Sequence, residues 1–413
     1  MKLFKREKIL KKIRPFYEAT DIIKVITGVR RSGKSTVLEL IKRELISNGV
    51  PASNIIDIDL DSKKYKAIKT SAKLEKVIDD LSFNKEGLLY LFIDEIQNVH
   101  DFEEVINAYR GEGNYSIFIT GSNSYLLSGE LVTKLTGRYL EFELFTLSFD
   151  EYVEMKKYFN QNINENLILE LQEYIIYGGF PRALLLDEVN AKRTYTSGIV
   201  KEIFEKDIKR RVKVRNVHTF EIVTNFIVNN FGATISVNSI RKSLLNTGIR
   251  VSHETINRYI QILKDAKIIY ECERFDTKSK RALAGEKKYY LADLSFYFML
   301  NTNNEINYGP CLENIVYIYA RSLDYAISVG RIGKLECDFI LRNNKLDYSY
   351  VQVAYTILSS KETLEREYRP LEAIKDNYAK YVLTTDYLLQ KRGGIIHANI
   401  MDFMTSHQLF WLI

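Results

Sequence analysis

Short apolar, β-branched runs alternate with amphipathic segments along the first part of the chain. The runs with strand character are DIIKVITGV, NIIDIDLD, LLYLFIDEI, YSIFITGS and YLEFELF. The segments between them, such as KSTVLELIKRELIS and DFEEVINAYRG, repeat their apolar residues at helical spacing. Strands that alternate with helices are typical of a parallel sheet with helices on both faces. The pattern predicts an α/β fold for residues 1–147.

The hydrophobic pattern changes again after residue 147. Residues 148–216 are mostly helical, residues 217–304 hold three helical segments followed by two strands, and residues 305–413 mix a helix with strands. A chain of 413 residues exceeds what one hydrophobic core usually supports. We therefore predict four domains with these boundaries.

Composition indicates an ordinary globular protein, with 46% apolar and 27% charged residues. No apolar run reaches the length of about 18 residues that a membrane span needs, and the basic N-terminus lacks the apolar region of a secretory signal. The three cysteines, Cys272, Cys311 and Cys337, do not have the spacing of a metal site. We expect a reduced, cytoplasmic protein with no membrane partner.

Positive charge is concentrated in two short segments, although the net charge is only +6. The first 14 residues hold seven Lys and Arg, and residues 206–215 hold six. Such runs are either solvated helix faces or surfaces that contact phosphates. Both interpretations stay open from the sequence.

The segment GVRRSGKST, which follows the first apolar run, has the spacing of a phosphate-binding loop between a strand and a helix. Glycines let backbone N–H groups turn towards an anion, and the helix N-terminus adds partial positive charge. Lys34 is expected to reach the outer phosphates of ATP, and the Ser35 hydroxyl to ligate Mg²⁺. The residues predicted to contact the nucleotide are Gly28, Arg30, Arg31, Ser32, Gly33, Lys34, Ser35 and Thr36.

Two further strands end in polar residues. LLYLFIDEIQNV places Asp94 and Glu95 at the carboxyl end of a buried strand, where sites in α/β proteins gather. Asp94 is predicted to hold Mg²⁺ and Glu95 to polarise an attacking water. In IFITGSNS, Thr120, Ser122 or Asn123 can sense the γ-phosphate or orient that water, and an ordinary strand-to-loop turn explains them nearly as well.

The motifs GVRRSGKST, FIDEIQNV, IFITGSNS, LTGRYLEFEL and YGGFPRAL occur in this order. Together they resemble the bacterial and archaeal AAA-type ATPases with a C-terminal domain of unknown function (DUF4143), which are related to the STAND-like archaeal ATPases. The resemblance implies a nucleotide held between the core sheet and a helical lid. It implies that Arg138 acts on the γ-phosphate, in cis or from a neighbouring subunit, although a structural salt bridge is an alternative. It also implies that the turn at Gly179 and Pro181 approaches the adenine.

Residues 217–304 resemble a winged helix, a variant of the helix-turn-helix. The third helix is predicted to be capped by Ser252 and to enter the major groove of duplex DNA. Its outward residues would be Ser252, His253, Thr255, Asn257 and Arg258, and its core residues Ile256, Ile260 and Leu263. Residues predicted to contact phosphates from the wing are Lys278, Lys280, Arg281, Lys287 and Lys288. Such domains also serve in protein–protein and interdomain packing, and the acidic Glu254 weakens the case for DNA.

Residues 305–413 resemble the PD-(D/E)xK nuclease fold, which holds Mg²⁺ with acids on a helix and on two strands. Glu313 matches the helix acid and Asp338 the strand acid, while Glu336 is an additional carboxylate. The E-x-K position, however, reads Gln352-Val353-Ala354. The missing lysine predicts a degenerate domain without nuclease activity.

These features together predict an ATP hydrolase in which the lid couples loss of the γ-phosphate to movement of the winged-helix and C-terminal domains. The partner is predicted to be duplex DNA or a protein, and assembly into a homo-oligomer is a further alternative. A nucleotide-gated switch with little turnover and a DNA nuclease are the alternatives. A kinase is less consistent, because Asp94-Glu95 favours water as the acceptor.

Overall fold

The computed structural model describes residues 2–121, 135, 137–209, 216–276, 281–301 and 305–411, apart from the side chains of residues 206, 207, 209 and 281–284. The chain forms two compact units, Met1–Phe145 and Thr146–Ile413. The end of the first unit lies close to the predicted boundary after residue 147. The other three predicted domains all fall within the second unit.

A five-stranded parallel sheet forms the centre of the first unit. Its strands are β1 (Ile23–Thr27), β2 (Ile55–Asp59), β3 (Leu89–Asp94), β4 (Tyr115–Thr120) and β5 (Tyr139–Glu143). They lie side by side in the order β2-β3-β4-β1-β5. The helices are α1 (Glu7–Ile13), α2 (Lys34–Ser47), α3 (Ser71–Ser82) and α4 (Phe102–Glu112). Short 3₁₀ turns cover Arg14–Phe16, Ala52–Asn54 and Ile96–Asn98.

Apolar side chains pack on both faces of this sheet in two clusters. Successive residues of a strand point to opposite faces, so Phe92 and Ile93 of β3 belong to different clusters. One cluster includes residues of α3 and α4, and the other includes residues of α1 and α2. The predicted parallel sheet with helices on both faces is confirmed.

The second unit begins with the helices predicted for residues 148–216. They are α5 (Phe149–Tyr158), α6 (Leu167–Tyr177), α7 (Pro181–Leu184) and α8 (Val189–Glu202), and a π-helical segment, Ile203–Lys209, continues α8. The second basic run starts in that π-helical segment. Its residues 210–215 lie outside the described residues.

The next segment has the order of elements of a winged helix. Its elements are α9 (Val217–Asn229), β6 (Thr234–Ile235), α10 (Val237–Asn246), α11 (His253–Asp265), β7 (Ile269–Asp276) and β8 (Arg281–Leu291), followed by α12 (Ser295–Leu300). Strand β8 pairs antiparallel with both β6 and β7. The predicted three helices and hairpin are therefore present, and the sequence pattern missed the short strand β6 and the helix α12.

In the described part of the C-terminal segment, three helices are separated by two groups of three strands. Its elements are α13 (Tyr308–Ser322), β9 (Ala326–Ile332), β10 (Leu335–Arg342), β11 (Tyr348–Val353), α14 (Lys361–Ala373), β12 (Ala379–Thr384), β13 (Lys391–Arg392), β14 (Ile395–Asn399) and α15 (Ile400–Thr405). Glu313 lies on α13, Asp338 on β10 and Gln352 on β11. These are the helix and the two strands on which the nuclease resemblance places its residues.

One nine-stranded sheet runs through the winged helix and the C-terminal segment, in the order β13-β14-β12-β11-β10-β9-β7-β8-β6. The junction is the parallel pairing of β7 with β9, where Arg274 faces Val329. One edge of the wing is therefore covered by a strand that follows it in the chain. Within the described ranges, every helix is too short or too polar to span a bilayer.

Candidate functional site

The loop after β1 is shaped by a close approach between two backbones. Gly28 has φ +141°, and a Cβ atom there would lie 2.1 Å from the carbonyl oxygen of Leu144. Leu144 is held in place because its N–H donates to the Thr27 carbonyl at 2.9 Å. Only glycine fits this position without displacing one of the two segments.

Lys34 folds back over the loop that precedes it. Its Nζ donates to the carbonyl oxygens of Gly28 at 2.8 Å and Val29 at 3.3 Å, and the side chain is buried. Gly33, with φ +107°, leads directly into α2. The first N–H groups of a helix have no partner within the helix and attract anions. The loop thus combines an ammonium group with the N-terminus of a helix.

Ser32 supports the interpretation of this loop as a phosphate cradle. Its side chain is fully buried, and its Oγ has no hydrogen-bond partner among the described residues. A buried hydroxyl without a partner is costly, and a ligand oxygen would satisfy it. Ser35 is exposed and Thr36 half-buried in the first turn of α2, while Arg31 is exposed at φ +66°. These side chains lie in or directly beside the cradle.

The strand order brings a second polar group to the same edge of the sheet. Strand β4 lies between β1 and β3, so Thr120 at its carboxyl end lies beside Asp94. The Thr120 hydroxyl donates to Asp94 Oδ1, and the Glu95 N–H donates to Thr120 Oγ1 at 3.3 Å. Glu95 has φ +57°, and its Oε2 accepts a hydrogen bond from Gln97 Nε2. Thr120 therefore fixes both acidic residues.

These residues fit the predicted Mg²⁺ and nucleotide. In a phosphate-loop site, Mg²⁺ takes few protein ligands and completes its shell with phosphate oxygens and water. Asp94 is half-buried and Ser35 exposed, so one carboxylate and one hydroxyl are accessible at this edge. The described part of the chain contains no cluster of three or more His, Cys, Asp or Glu arranged to hold a metal.

Two family models match the chain. Residues 20–153 match the AAA domain, and residues 168–306 match a domain of unknown function, DUF8612. An uncharacterized protein of Haemophilus influenzae is 35% identical over 404 residues, which cover 97% of this chain and 98% of that protein. An uncharacterized protein of Methanocaldococcus jannaschii is 30% identical over 369 residues, which cover 86% of this chain and 79% of that protein. The chain belongs to the same family as these two proteins, and its residues 20–153 make this an AAA-type family.

The AAA-type assignment confirms the resemblance that the five motifs indicated. The Walker-type ATPase paby2304 of Pyrococcus abyssi has a similar fold, with a TM-score of 0.51 and 18% identity over 72% of this chain and 96% of that chain. The expectation of DUF4143 is not confirmed, because the domain that matches is DUF8612. It spans most of the predicted lid and the predicted winged helix rather than the C-terminal segment.

Arg138 lies away from the phosphate loop of its own AAA-type core. Tyr139 pairs with Ile23 at the start of β1, so Arg138 is at the amino edge of the sheet, and the loop is at the carboxyl edge. The five residues of β1 span about 16 Å. Arg138 Nη1 instead donates to Asn107 Oδ1 at 3.3 Å. This placement does not support action in cis, and the role of Arg138 in a neighbouring subunit stays a prediction.

The turn of the motif YGGFPRAL is held by contacts within the second unit. The Gly179 N–H donates to the buried Asp293 Oδ2 at 2.8 Å, and a Cβ at Gly179 would lie 2.2 Å from the Leu147 carbonyl oxygen. Packing thus explains the glycine. Pro181 begins α7, and its contact with adenine stays a prediction. Asn123 lies outside the described residues.

Sequence reasoning missed Arg6, which contacts the backbone of the phosphate loop at Ser32. Arg6 is 8% exposed, and its guanidinium donates to the carbonyl oxygens of Phe145 at 3.2 and 3.3 Å and Ser32 at 3.4 Å. Nearby, Arg14 forms ion pairs with Glu7 and Glu44 at 2.7 Å each. Part of the basic N-terminus therefore contacts other residues of the same chain. A count of charges could not distinguish such internal contacts from a surface that binds phosphates.

The third helix of this segment, α11, has the predicted orientation. Ile256, Ile260 and Leu263 of α11 are buried, while His253, Asn257 and Arg258 are exposed. Ser252 caps the helix, because its Oγ accepts from the Thr255 N–H at 3.1 Å, and Glu254 is exposed in the first turn. The outward polar face is available to a partner.

The prediction that Lys288 contacts phosphates from the wing is wrong. Lys288 is 5% exposed and forms ion pairs with Glu313 and Glu336. Its neighbour Lys287 forms an ion pair with Glu271. The reason is the pairing of β7 with β9, which packs the base of the wing against the C-terminal segment. Lys278 and Lys280, and the side chain of Arg281, lie outside the described residues.

The nuclease-like residues line a pocket of about 480 Å³. Asp338 is 7% exposed, and its Oδ2 accepts from the Val353 N–H at 2.8 Å. Gln352 Nε2 donates to Glu367 Oε2 at 2.9 Å, and Ala354 lines the pocket where the resemblance calls for a lysine. Burial, and then the charge of Glu313, raise the pKa of Asp338 well above its ordinary value. The pocket is acidic and lacks the ammonium group of the E-x-K motif.

Proposed function

We propose that the chain binds ATP with Mg²⁺ at the loop Gly28–Thr36 and hydrolyses it. The proposal rests on three features that lie at one edge of the sheet. They are the loop before α2, Asp94 at the end of β3, and Thr120 at the end of β4. A phosphate-loop site needs this combination of a cradle, a metal carboxylate and a group that positions water. Membership of the AAA-type family supports it.

Each residue has a defined task in this proposal. Lys34 leaves the carbonyls of Gly28 and Val29 and binds the outer phosphates, while the Ser32 hydroxyl and the first N–H groups of α2 donate hydrogen bonds to phosphate oxygens. Ser35 and Asp94 hold Mg²⁺, which neutralises charge on the phosphates. Glu95 orients and deprotonates the attacking water, and its N–H bond to Thr120 sets its position.

We further propose that the nucleotide state controls binding of duplex DNA through the winged helix. The exposed face of α11 carries His253, Asn257 and Arg258, and the preceding helix and loop add the exposed Arg241, Lys242 and Arg250. Arginine and lysine supply phosphate contacts, and polar side chains at a helix N-terminus can read base edges. A protein partner on the same face is the alternative, as the covered wing leaves less basic surface for DNA.

Substitutions at Lys34 and Glu95 test the hydrolysis proposal. Lys34→Ala is expected to lose ATP binding, because Lys34 is the lysine of the loop Gly28–Thr36. Glu95→Gln is expected to bind ATP and lose most of its turnover, on the order of a hundredfold or more. Lys73→Ala and Glu104→Gln, which change exposed residues of α3 and α4, are the matched controls. Near-normal turnover by Glu95→Gln would contradict its role as the base.

Turnover and DNA affinity measured together separate the hydrolase from a slow switch. In the hydrolase, ATP turnover is expected to change when duplex DNA is added at a stated salt concentration. A switch would instead show ATP-dependent DNA binding with very slow turnover. Arg258→Ala should weaken DNA binding without affecting ATP affinity, and unchanged DNA affinity in this variant would favour the protein partner. The nuclease alternative has lost support, since Ala354 supplies no ammonium and the acids are otherwise engaged.

A further inference from the structure

A lysine of the winged helix is buried in the acidic cluster of the C-terminal segment. Lys288 Nζ lies 3.1 Å from Glu313 Oε2 and 3.1 Å from Glu336 Oε1. The Tyr290 hydroxyl donates to the same Glu313 oxygen at 3.1 Å. Charges removed from water must be paired, so this ammonium and the two carboxylates hold one another in place.

The sheet explains how Lys288 reaches these acids. Lys288 lies on β8 opposite Cys272 of β7, and β7, β9 and β10 are successive neighbours in the sheet. Glu336 on β10 is also bound by Arg274 of β7, whose Nη2 lies 2.7 Å from Glu336 Oε2. The cation is therefore supplied by a segment of the chain that precedes the nuclease-like segment. Its position depends on the β7–β9 pairing.

The residues of the cluster do not fit the magnesium that the nuclease resemblance implies. Mg²⁺ needs oxygen ligands in near-octahedral geometry. One oxygen of Glu313 is shared by Lys288 and Tyr290, and Asp338 Oδ2 accepts from the Val353 N–H. Among the described residues, no three His, Cys, Asp or Glu side chains are arranged so that they could hold a metal ion together. An ammonium group is present where these acids would otherwise require a cation.

We propose that the Lys288 ammonium occupies the cation position of this acidic cluster, so that the C-terminal segment is stable without a divalent metal and Lys288 itself excludes one. The lysine supplies a single compact charge, and unlike a metal ion it cannot be removed by a chelator. It also cannot act as a Lewis acid on a bound water. The proposal concerns only the second unit and is independent of ATP hydrolysis.

The charges around Lys288 support this assignment. Burial alone would lower the pKa of Lys288, but the carboxylates of Glu313, Asp338 and Glu336 outweigh it and raise the pKa above its ordinary value. The ammonium therefore stays charged at neutral pH. Removing the ammonium takes away the ion-pair partner of Glu313 and leaves Glu336 with Arg274 alone. Carboxylates short of positive charge are the groups that a divalent cation binds most strongly.

Manganese binding to the full chain without nucleotide tests the proposal, with free Mn²⁺ measured by electron paramagnetic resonance. Wild type is expected to bind no Mn²⁺ tightly, and K288A to bind about one per chain. The double variant E313Q/K288A is expected to lose that gain. K287A is the matched control, because Lys287 is the adjacent lysine of β8 and is paired with Glu271 outside the cluster. It should behave as wild type.

Three results would overturn the proposal: tight Mn²⁺ binding by wild type, no gain in K288A, or a gain that persists in E313Q/K288A. If K288A does not fold, K288Q retains a hydrogen-bond donor without the charge and replaces it. Its Tm is then expected to rise with Mn²⁺, whereas the Tm of wild type should respond neither to Mn²⁺ nor to EDTA. A K288Q variant whose Tm ignores Mn²⁺ would also overturn the proposal.

Discussion

Replacing Gly28 by alanine tests whether the conformation of the phosphate loop depends on its close contact with Leu144, the residue that follows β5. The new Cβ would lie 2.1 Å from the Leu144 carbonyl oxygen and 3.1 Å from Ser32 Oγ. An ordinary contact between carbon and oxygen is about 3.3 Å, so the overlap with the carbonyl exceeds about 1 Å. The Leu144 backbone is tied to Thr27. The loop is therefore the part expected to move.

Two terms determine the size of the effect. Alanine at φ +141° occupies a strained backbone region, at a cost of about 1–3 kcal/mol. Relieving the overlap adds about 1–3 kcal/mol, as for other substitutions that overfill a packed site. If the loop moves, most of this total of about 2–6 kcal/mol opposes ATP binding. That corresponds to an affinity reduced between about 30-fold and about 20,000-fold.

The assay is a titration with a fluorescent ATP analogue, together with thermal unfolding. Gly49→Ala is the matched control, because Gly49 has φ +95° but nothing within 4 Å of its Cβ position. It should lower the Tm through strain and leave ATP affinity unchanged. Wild-type affinity in Gly28→Ala would refute the reasoning, since it would show that the contact does not shape the site.

The remaining predictions concern three buried polar residues of the first unit, Lys24, Arg6 and Thr120. Burial lowers the pKa of Lys24 from 10.5 to about 7, so between about pH 7 and pH 9 the unfolded chain binds a proton that the folded chain lacks. Stability in urea should therefore rise over this range by up to about 1.4 kcal/mol per pH unit, and a slope that survives in Lys24→Met would contradict this. Arg6→Met removes the hydrogen bond to the Ser32 carbonyl and should weaken ATP affinity by about tenfold; an unchanged Kd would exclude a supporting role. Thr120→Val removes the hydroxyl that bonds Asp94 and should keep ATP binding while lowering turnover by about tenfold to a hundredfold, and equal turnover would argue against it.

Part of the candidate site was predictable because its residues are close together in the chain. The loop from Gly28 to Thr36 follows a strand and opens a helix, so its glycines and Lys34 act through local backbone geometry. Asp94 and Thr120 were predictable as strand ends, because the carboxyl ends of parallel strands meet at one edge. Their direct hydrogen bond was not, because it depends on β4 lying between β1 and β3.

The same distinction applies to the charged residues of the wing and the N-terminus. Charge runs in the sequence predicted surfaces for anions, yet Arg6 donates to the Phe145 carbonyl and Lys288 contacts Glu313 and Glu336. Residue type alone cannot separate a lysine that faces solvent from one that neutralises buried acids. Only the strand that packs beside it decides this.

The sequence by itself determined the AAA-type core, the phosphate loop, the three helices before the hairpin, and the alanine at position 354, where the predicted nuclease resemblance calls for a lysine. All of these follow from periodicity or from motifs of neighbouring residues. The tertiary structure decided that Arg138 lies at the amino edge of the sheet and that the wing continues into the C-terminal sheet. It also decided that Lys288 lies among acids. Those outcomes arise from the pairing of strands that are distant in the chain, and the free energy of such pairing depends on side chains from both partners rather than on any local pattern.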